Sequence, residues 1–170
     1  SMGPARKSKV ISDKERELVA YHEAGHAIVS HFMPEGKSVG KITIVSRGHA
    51  GGFTRYEQED QSLMTKVELE AMIASAMGGR EAEMITHKGV LTTGASNDFE
   101  QATRIAREMV MRYGMIEELP QRTYGKKQQA VFLGREQNEE QDYSEETAVK
   151  IDKEISSLLE QGKNNANKIL

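Results

Sequence analysis

A mainly α-helical domain carrying a small β-sheet, an α+β arrangement, is what this sequence predicts, on three observations. Four stretches place apolar residues at helical spacing, and one short alternating run with a second short run beyond a turn reads as a pair of strands. The composition agrees. Of 170 residues, 37% are hydrophobic, 29% charged and only 5% aromatic, with no Trp and nine Met. Such a balance suits a helix-rich domain whose core leans on Leu, Ile, Val, Ala and Met.

Residues 1–11 are basic and irregular and read as a linker, with Ser1-Met2 as a cloning remnant ahead of Gly3. A single domain is expected over 12–170, a length that can bury a substantial core. Ser12-Asp13-Lys14-Glu15 has the form of a capping box. The helix it opens is expected to run to about Met33, where Pro34 and Gly36 stop it. Its inward stripe is Leu18, His22, Gly25, His26 and Val29. Gly25 costs helix stability, which implies a close neighbour on that side.

Residues 39–46 alternate, with Ile42 and Ile44 against Lys41 and Thr43, and predict a strand. Turn-rich residues 47–52 connect it to a second strand at 53–56. Two short strands need helices to pack on. After an acidic loop, a helix is expected from about Ser62 to Thr86, its inward face being Met64, Val67, Met72, Ile73, Ala76 and Met77. Gly78-Gly79 in its middle implies tight packing or a kink. Thr92-Thr93-Gly94-Ala95-Ser96-Asn97-Asp98 forms the next loop. The helix beyond it carries Ala102, Ile105, Ala106, Met109, Val110 and Tyr113 inward, with Gly114 as its C-cap. Residues 115–143 are mostly irregular, with a short strand expected at 130–133. Ser144 opens a last helix with Ala148, Ile151, Ile155 and Leu158 inward. The chain stops at Asn167-Lys168-Ile169-Leu170 in helix-compatible sequence and is expected to be an excised piece of something larger.

The net charge of −3 gives no case for nucleic acid or an anionic membrane surface. Cysteine is absent, which excludes disulfides and thiolate ligands and leaves His, Asp and Glu to hold any metal. No apolar run reaches the length of a transmembrane helix and no signal peptide is visible. The chain itself is expected to be soluble.

The chemistry concentrates in Tyr21-His22-Glu23-Ala24-Gly25-His26, which reads H-E-x-x-H. Four residues on a helix span about 400° of rotation and roughly 6 Å of rise, so His22 and His26 project from nearly one face. Two imidazoles so placed can share a zinc ion. Glu23, on the flank of that face, suits a general base acting on water at the metal. A catalytic zinc also needs a third protein ligand. His31 lies about 140° round the helix from His26 and cannot join. A metzincin would require Gly at position 29 and His at position 32, where Val29 and Phe32 stand. His49 and His87 sit in loops without supporting spacing. Two carboxylates remain. Asp98 closes a Gly-containing loop and opens a helix, although capping and the helix dipole also favour an Asp there. Glu83 follows Gly78-Gly79, with a solvated helix face or a partner for a histidine as its plainer role. Local spacing leaves the two unseparated. The strand at 53–56 is expected to offer an edge for an extended peptide, with Gly52, Phe53 and Thr54 as candidates for that contact. The glycines of 47–52 match no phosphate-binding pattern.

Beyond the motif, the chain resembles the peptidase domain of the FtsH family, the membrane-anchored ATP-dependent zinc metalloproteases. The matching segments are Val19-Ala20-Tyr21-His22-Glu23-Ala24-Gly25-His26-Ala27, Lys41-Ile42-Thr43-Ile44-Val45 with Arg47-Gly48, and Gly78-Gly79-Arg80-Glu81-Ala82-Glu83. Thr92-Thr93-Gly94-Ala95-Ser96-Asn97-Asp98 with Ala102-Thr103, Met109-Val110 with Tyr113-Gly114-Met115, and Tyr143-Ser144-Glu145-Glu146-Thr147-Ala148 with Ile151-Asp152 continue the match in order. Departures fall at Gly51, where a larger apolar residue is usual, at Tyr56-Glu57-Gln58, and over 116–122.

The resemblance implies one zinc per chain held by His22, His26 and Asp98, Glu23 as catalytic base, and Glu83 as a supporting residue. It further implies unfolded polypeptide substrates, a homo-hexamer, and ATP used only through an ATPase module whose motifs this chain lacks. Transmembrane segments upstream would set the whole protein at the cytoplasmic face of a bacterial membrane, or at an organellar one. The function expected is therefore that of a zinc endopeptidase domain. The alternative is a non-catalytic ring-forming module for a partner ATPase.

Overall fold

The computed structural model describes residues 12–44, 53–56, 63–127 and 139–170. It is mainly helical with a small two-stranded antiparallel sheet, as the periodicities predict, and a second pair of two-residue strands that they do not. Helix α1 covers Asp13–Phe32, strand β1 Val39–Thr43, strand β2 Phe53–Tyr56 and helix α2 Lys66–Thr86. A 3-10 turn at Thr93–Ala95 leads into helix α3, Ser96–Met111. Two-residue strands β3, Lys126–Lys127, and β4, Glu139–Glu140, precede helix α4, Glu145–Ile169.

Capping chemistry sets the helix starts. Ser12 Oγ accepts from the Glu15 N–H at 3.2 Å, and Ser144 Oγ accepts from the Thr147 N–H at 3.1 Å. Each satisfies one of the orphan donors of its first turn. Met33, held extended ahead of Pro34, ends α1. Helix α2 starts later than the expected Ser62, because the capping box belongs to Thr65 and Glu68. Thr65 Oγ1 accepts from the Glu68 N–H at 3.1 Å. Met64 therefore precedes the helix, and it and Val67 are exposed rather than inward. Helix α3 likewise stops at Met111, short of Tyr113, whose ring is exposed and whose hydroxyl donates to Glu108 Oε2 at 2.6 Å. Gly114 takes φ +59° just beyond, where a side chain is disfavoured. Strand β1 ends at Thr43, short of the expected 46. The expected linker at 1–11, the connection at 47–52 and the strand at 130–133 lie outside the described residues.

Helix α2 is the centre of the molecule. It packs against α1, α3 and α4, and twelve of its residues are buried, including Ile73, Ala74 and Met77. Its Gly78-Gly79 step does not kink it; the helix is continuous from Lys66 to Thr86. The glycines serve contact instead. A Cβ on Gly78 would stand 2.6 Å from the Gly25 carbonyl oxygen of α1, so these helices meet backbone to backbone. On the other side α4 passes over Ile73, which lies 2.5 Å from where a Gly162 Cβ would be. Asn167 Nδ2 of α4 donates to the buried Glu81 Oε2 at 2.9 Å.

The main strand pair sits against α1, which supplies the support that two strands lack alone. Its register pairs Lys41 with Arg55, Ile42 with Thr54 and Thr43 with Phe53, with an irregularity between Val39 and Lys41. This places β2 beside the turn of α1 that carries Glu23.

Candidate metal centre

Helix α1 delivers His22 and His26 to one spot, as four-residue spacing requires. Both are 7% exposed, as is Glu23. Their Nε2 atoms stand 3.0 Å apart. Asp98, in the first turn of α3, brings its Oδ2 to 2.9 Å from His22 Nε2 and 3.2 Å from His26 Nε2. Two imidazole nitrogens and one carboxylate oxygen thus converge from elements 76 residues apart. The approach requires Gly79. A Cβ there would lie 2.5 Å from His22 Nε2 and 2.7 Å from His26 Nε2.

The surroundings choose which nitrogen faces inward. His26 Nδ1 donates to the Ser75 carbonyl at 2.6 Å, so its Nε2 presents the lone pair when the ring is neutral. Ser75 Oγ donates back to the His26 carbonyl at 3.1 Å and meets Tyr56 Oη at 2.8 Å. Behind His22, Glu83 Oε1 stands 3.4 Å from Nδ1. Glu83 is 1% exposed and points away from the converging atoms. Thr92 Oγ1 donates to its Oε1 at 2.8 Å, and the Arg80 guanidinium lies 3.5 Å from its Oε2. Arg80 also donates to the Thr92 carbonyl at 2.7 Å and covers the Phe99 ring at 5.0 Å. It braces the chain on both sides of Asp98.

Charge follows from this crowding. Burial opposes the Asp98 anion, but hydrogen bonds and charge from His22 and His26 outweigh it and hold the carboxyl far below the usual range. Burial likewise opposes a charged His26, yet the hydrogen bond and charge of Asp98 raise its pKa above 6.5. The spot favours positive charge. A tetrahedral zinc with bonds of 2.0–2.1 Å has ligand–ligand edges of about 3.3 Å. The observed separations differ from that by a few tenths of an ångström, so the donor set fits zinc in number, chemistry and spacing.

Glu23 lies beside the two histidines, its carboxylate Oε2 accepting from Thr54 Oγ1 at 2.9 Å. Thr54 and Phe53 belong to β2, while Gly52 lies outside the described residues. His87 is elsewhere, its ring edge-on to Tyr21 at 5.8 Å between centroids. Sequence reasoning missed Gly79 as the seat of the imidazoles, and it missed Ser75, Tyr56 and Thr92 as bracing partners. Ser75 did leave a trace, being a hydroxyl within an otherwise apolar stretch of α2.

Comparison with known proteins bears on this arrangement. The model of peptidase family M41 matches residues 9–170. The ATP-dependent zinc metalloprotease FtsH 1 of Sphaerobacter thermophilus is 46% identical over 169 residues, covering 99% of this chain and 26% of that protein. The ATP-dependent zinc metalloprotease FtsH of Veillonella parvula is also 46% identical, over 171 residues, covering 100% of this chain and 26% of that protein. That of Thermotoga maritima is 48% identical over 159 residues, 92% of this chain and 26% of the relative. The chain therefore spans about a quarter of the length of the curated relatives it matches.

Proposed function

The chain belongs to peptidase family M41, and from that premise we propose that it is a zinc endopeptidase domain cutting extended, unfolded polypeptides. The observation that carries the reading is the convergence of His22 Nε2, His26 Nε2 and Asp98 Oδ2 within 4.8 Å of one another, with Glu23 alongside. These three atoms would hold one zinc, and Glu83 would support His22 from behind. Zinc, when bound, supplies a positive charge that polarises the scissile carbonyl and makes water a better nucleophile near neutral pH. Glu23 takes the proton of the attacking water and returns it to the leaving amine. Its burial beside the histidines excludes competing solvent and keeps the carboxylate within reach. Strand β2 offers an edge on which an extended substrate can pair, fixing the scissile bond in register.

Other parts of the reading rest on the family resemblance and, for ATP, on the names of the longer relatives. We assign ATP use to a module outside this chain, assembly to a homo-hexamer, and membrane attachment to segments outside it. No helix of the described residues is long and apolar enough to cross a membrane.

The test is metal analysis beside cleavage of an unstructured protein such as labelled casein. One zinc per chain and hydrolysis are expected. Glu23→Gln should keep its zinc and lose at least about a hundredfold in kcat, a typical contribution of a general base. Full activity in that variant would overturn the mechanism.

A further inference from the structure

We propose that Thr54 is a positioning residue for the general base: its hydroxyl, carried by β2, sets the orientation of the Glu23 carboxylate. This rests on the proteolytic reading and extends it to a residue outside the metal-binding set. The Thr54 hydroxyl lies 2.9 Å from both the Glu23 carbonyl oxygen and Glu23 Oε2. A threonine hydroxyl has one proton, so main chain and carboxylate of the same residue share it. The side chain is thereby tied to its own helix turn. A free glutamate samples many rotamers; this one is 7% exposed and has one oxygen held, which narrows the orientations open to its carboxylate. The other oxygen is left to meet water.

The anchor is set by the sheet. Thr54 pairs with Ile42, and β-branching suits it to a strand. Two residues on, Tyr56 shares the same face of β2. Its hydroxyl meets Ser75 Oγ at 2.8 Å, and the Ser75 carbonyl accepts from His26 Nδ1. One face of β2 is therefore fastened both to the base and to the support of an imidazole. A strand that pairs with substrate and also holds the base aligns the two in one rigid piece, the kind of orientation whose loss costs rate rather than affinity.

The experiment compares Thr54→Val and Thr54→Ser in the zinc-loaded protein, using labelled casein and metal analysis. For Thr54→Val, kcat should fall about tenfold to a hundredfold, with KM, zinc stoichiometry and zinc affinity unchanged. Thr54→Ser, which keeps the hydroxyl, should recover most of the loss. A rise in KM with kcat intact would make Thr54 a substrate contact instead. Loss of zinc, or no recovery in the Ser variant, would reduce it to a packing residue; each of these overturns the proposal. Stability supplies a readout independent of catalysis. Thr54→Val, Glu23→Ala and the double variant should give Tm shifts that fail to add, since the two side chains are in contact. Additive shifts overturn the inference. A wild-type protein inactive on casein would instead sink the proteolytic reading, and the Tm comparison would still decide the role of Thr54.

Discussion

Asp98 meets two opposing demands, since burial disfavours its charge while two imidazoles require it. The imidazoles prevail, and the consequence can be read in the metal-free protein. The pKa of His26 is raised above 6.5, so the stability it contributes is complete below 6.5 and disappears as pH rises through the higher folded value. That of Asp98 is lowered from 3.8, so its contribution is present above 3.8 and disappears only as pH falls well below that. The ion pair therefore stabilises the metal-free fold from about pH 4 to somewhat above pH 6.5. We predict that, after chelation, Tm declines as pH rises above about 6.5, and that Asp98→Asn flattens this decline. Zinc affinity should run the other way, rising with pH as the proton that competes for His26 leaves. Thermal scans and zinc titrations across that range check both signs.

At the scale of elements, the meeting of α1 and α2 is the feature that matters most. Gly25 and Gly78 let the two backbones touch, and Gly79 keeps a hollow for both imidazoles. Gly79→Ala should leave the helices folded but push the rings off their common point, lowering zinc affinity at least about tenfold, on the scale of losing a bracing partner. Isothermal titration with zinc, beside far-UV circular dichroism, separates this from unfolding; unchanged affinity would refute it. Much of this scale was legible in the residues. H-E-x-x-H at helical spacing put His22 and His26 on one face with Glu23 on its flank, and Ser12 and Ser144 marked helix starts that the structure keeps. Gly78-Gly79 announced close packing or a kink, without saying which or against what. The carboxylate that joins the two histidines was not legible locally, because Asp98 and Glu83 are both carboxylates near glycines. What parts them is tertiary: Glu83 is turned behind His22 by Thr92 and Arg80, while the dock of α3 aims Asp98 at the rings. Thr54 was named for the edge of its strand, since nothing in a four-residue run reveals what the other face touches. The start of α2 was misplaced because Ser62 and Thr65 both resemble caps, and only Thr65 has Glu three residues on.

For the whole molecule, the centre ties distant parts of one core. Helix α1 supplies two donors and α3 the third, and both lean on α2, which α4 covers from the opposite side. A metal bound only by the folded state stabilises it by mass action, about 2.7 kcal/mol at a hundredfold excess over Kd. For a domain of this size that corresponds to a Tm rise of about 5–10 °C. Chelation should abolish the rise, and Asp98→Ala should remove most of it; a rise that survives in Asp98→Ala would mean that the histidines alone suffice. The wide separation of Asp98 from the histidine pair also bears on when destructive chemistry becomes available. A nascent helix can present His22, Glu23 and His26 as soon as it forms, long before the chain beyond it is made. The carboxylate 76 residues from His22 arrives only once α3 has docked. With the proposed ligand set, tight zinc capture would wait until α3 has docked, and an unfinished or misfolded chain would be a poor candidate to cut its neighbours.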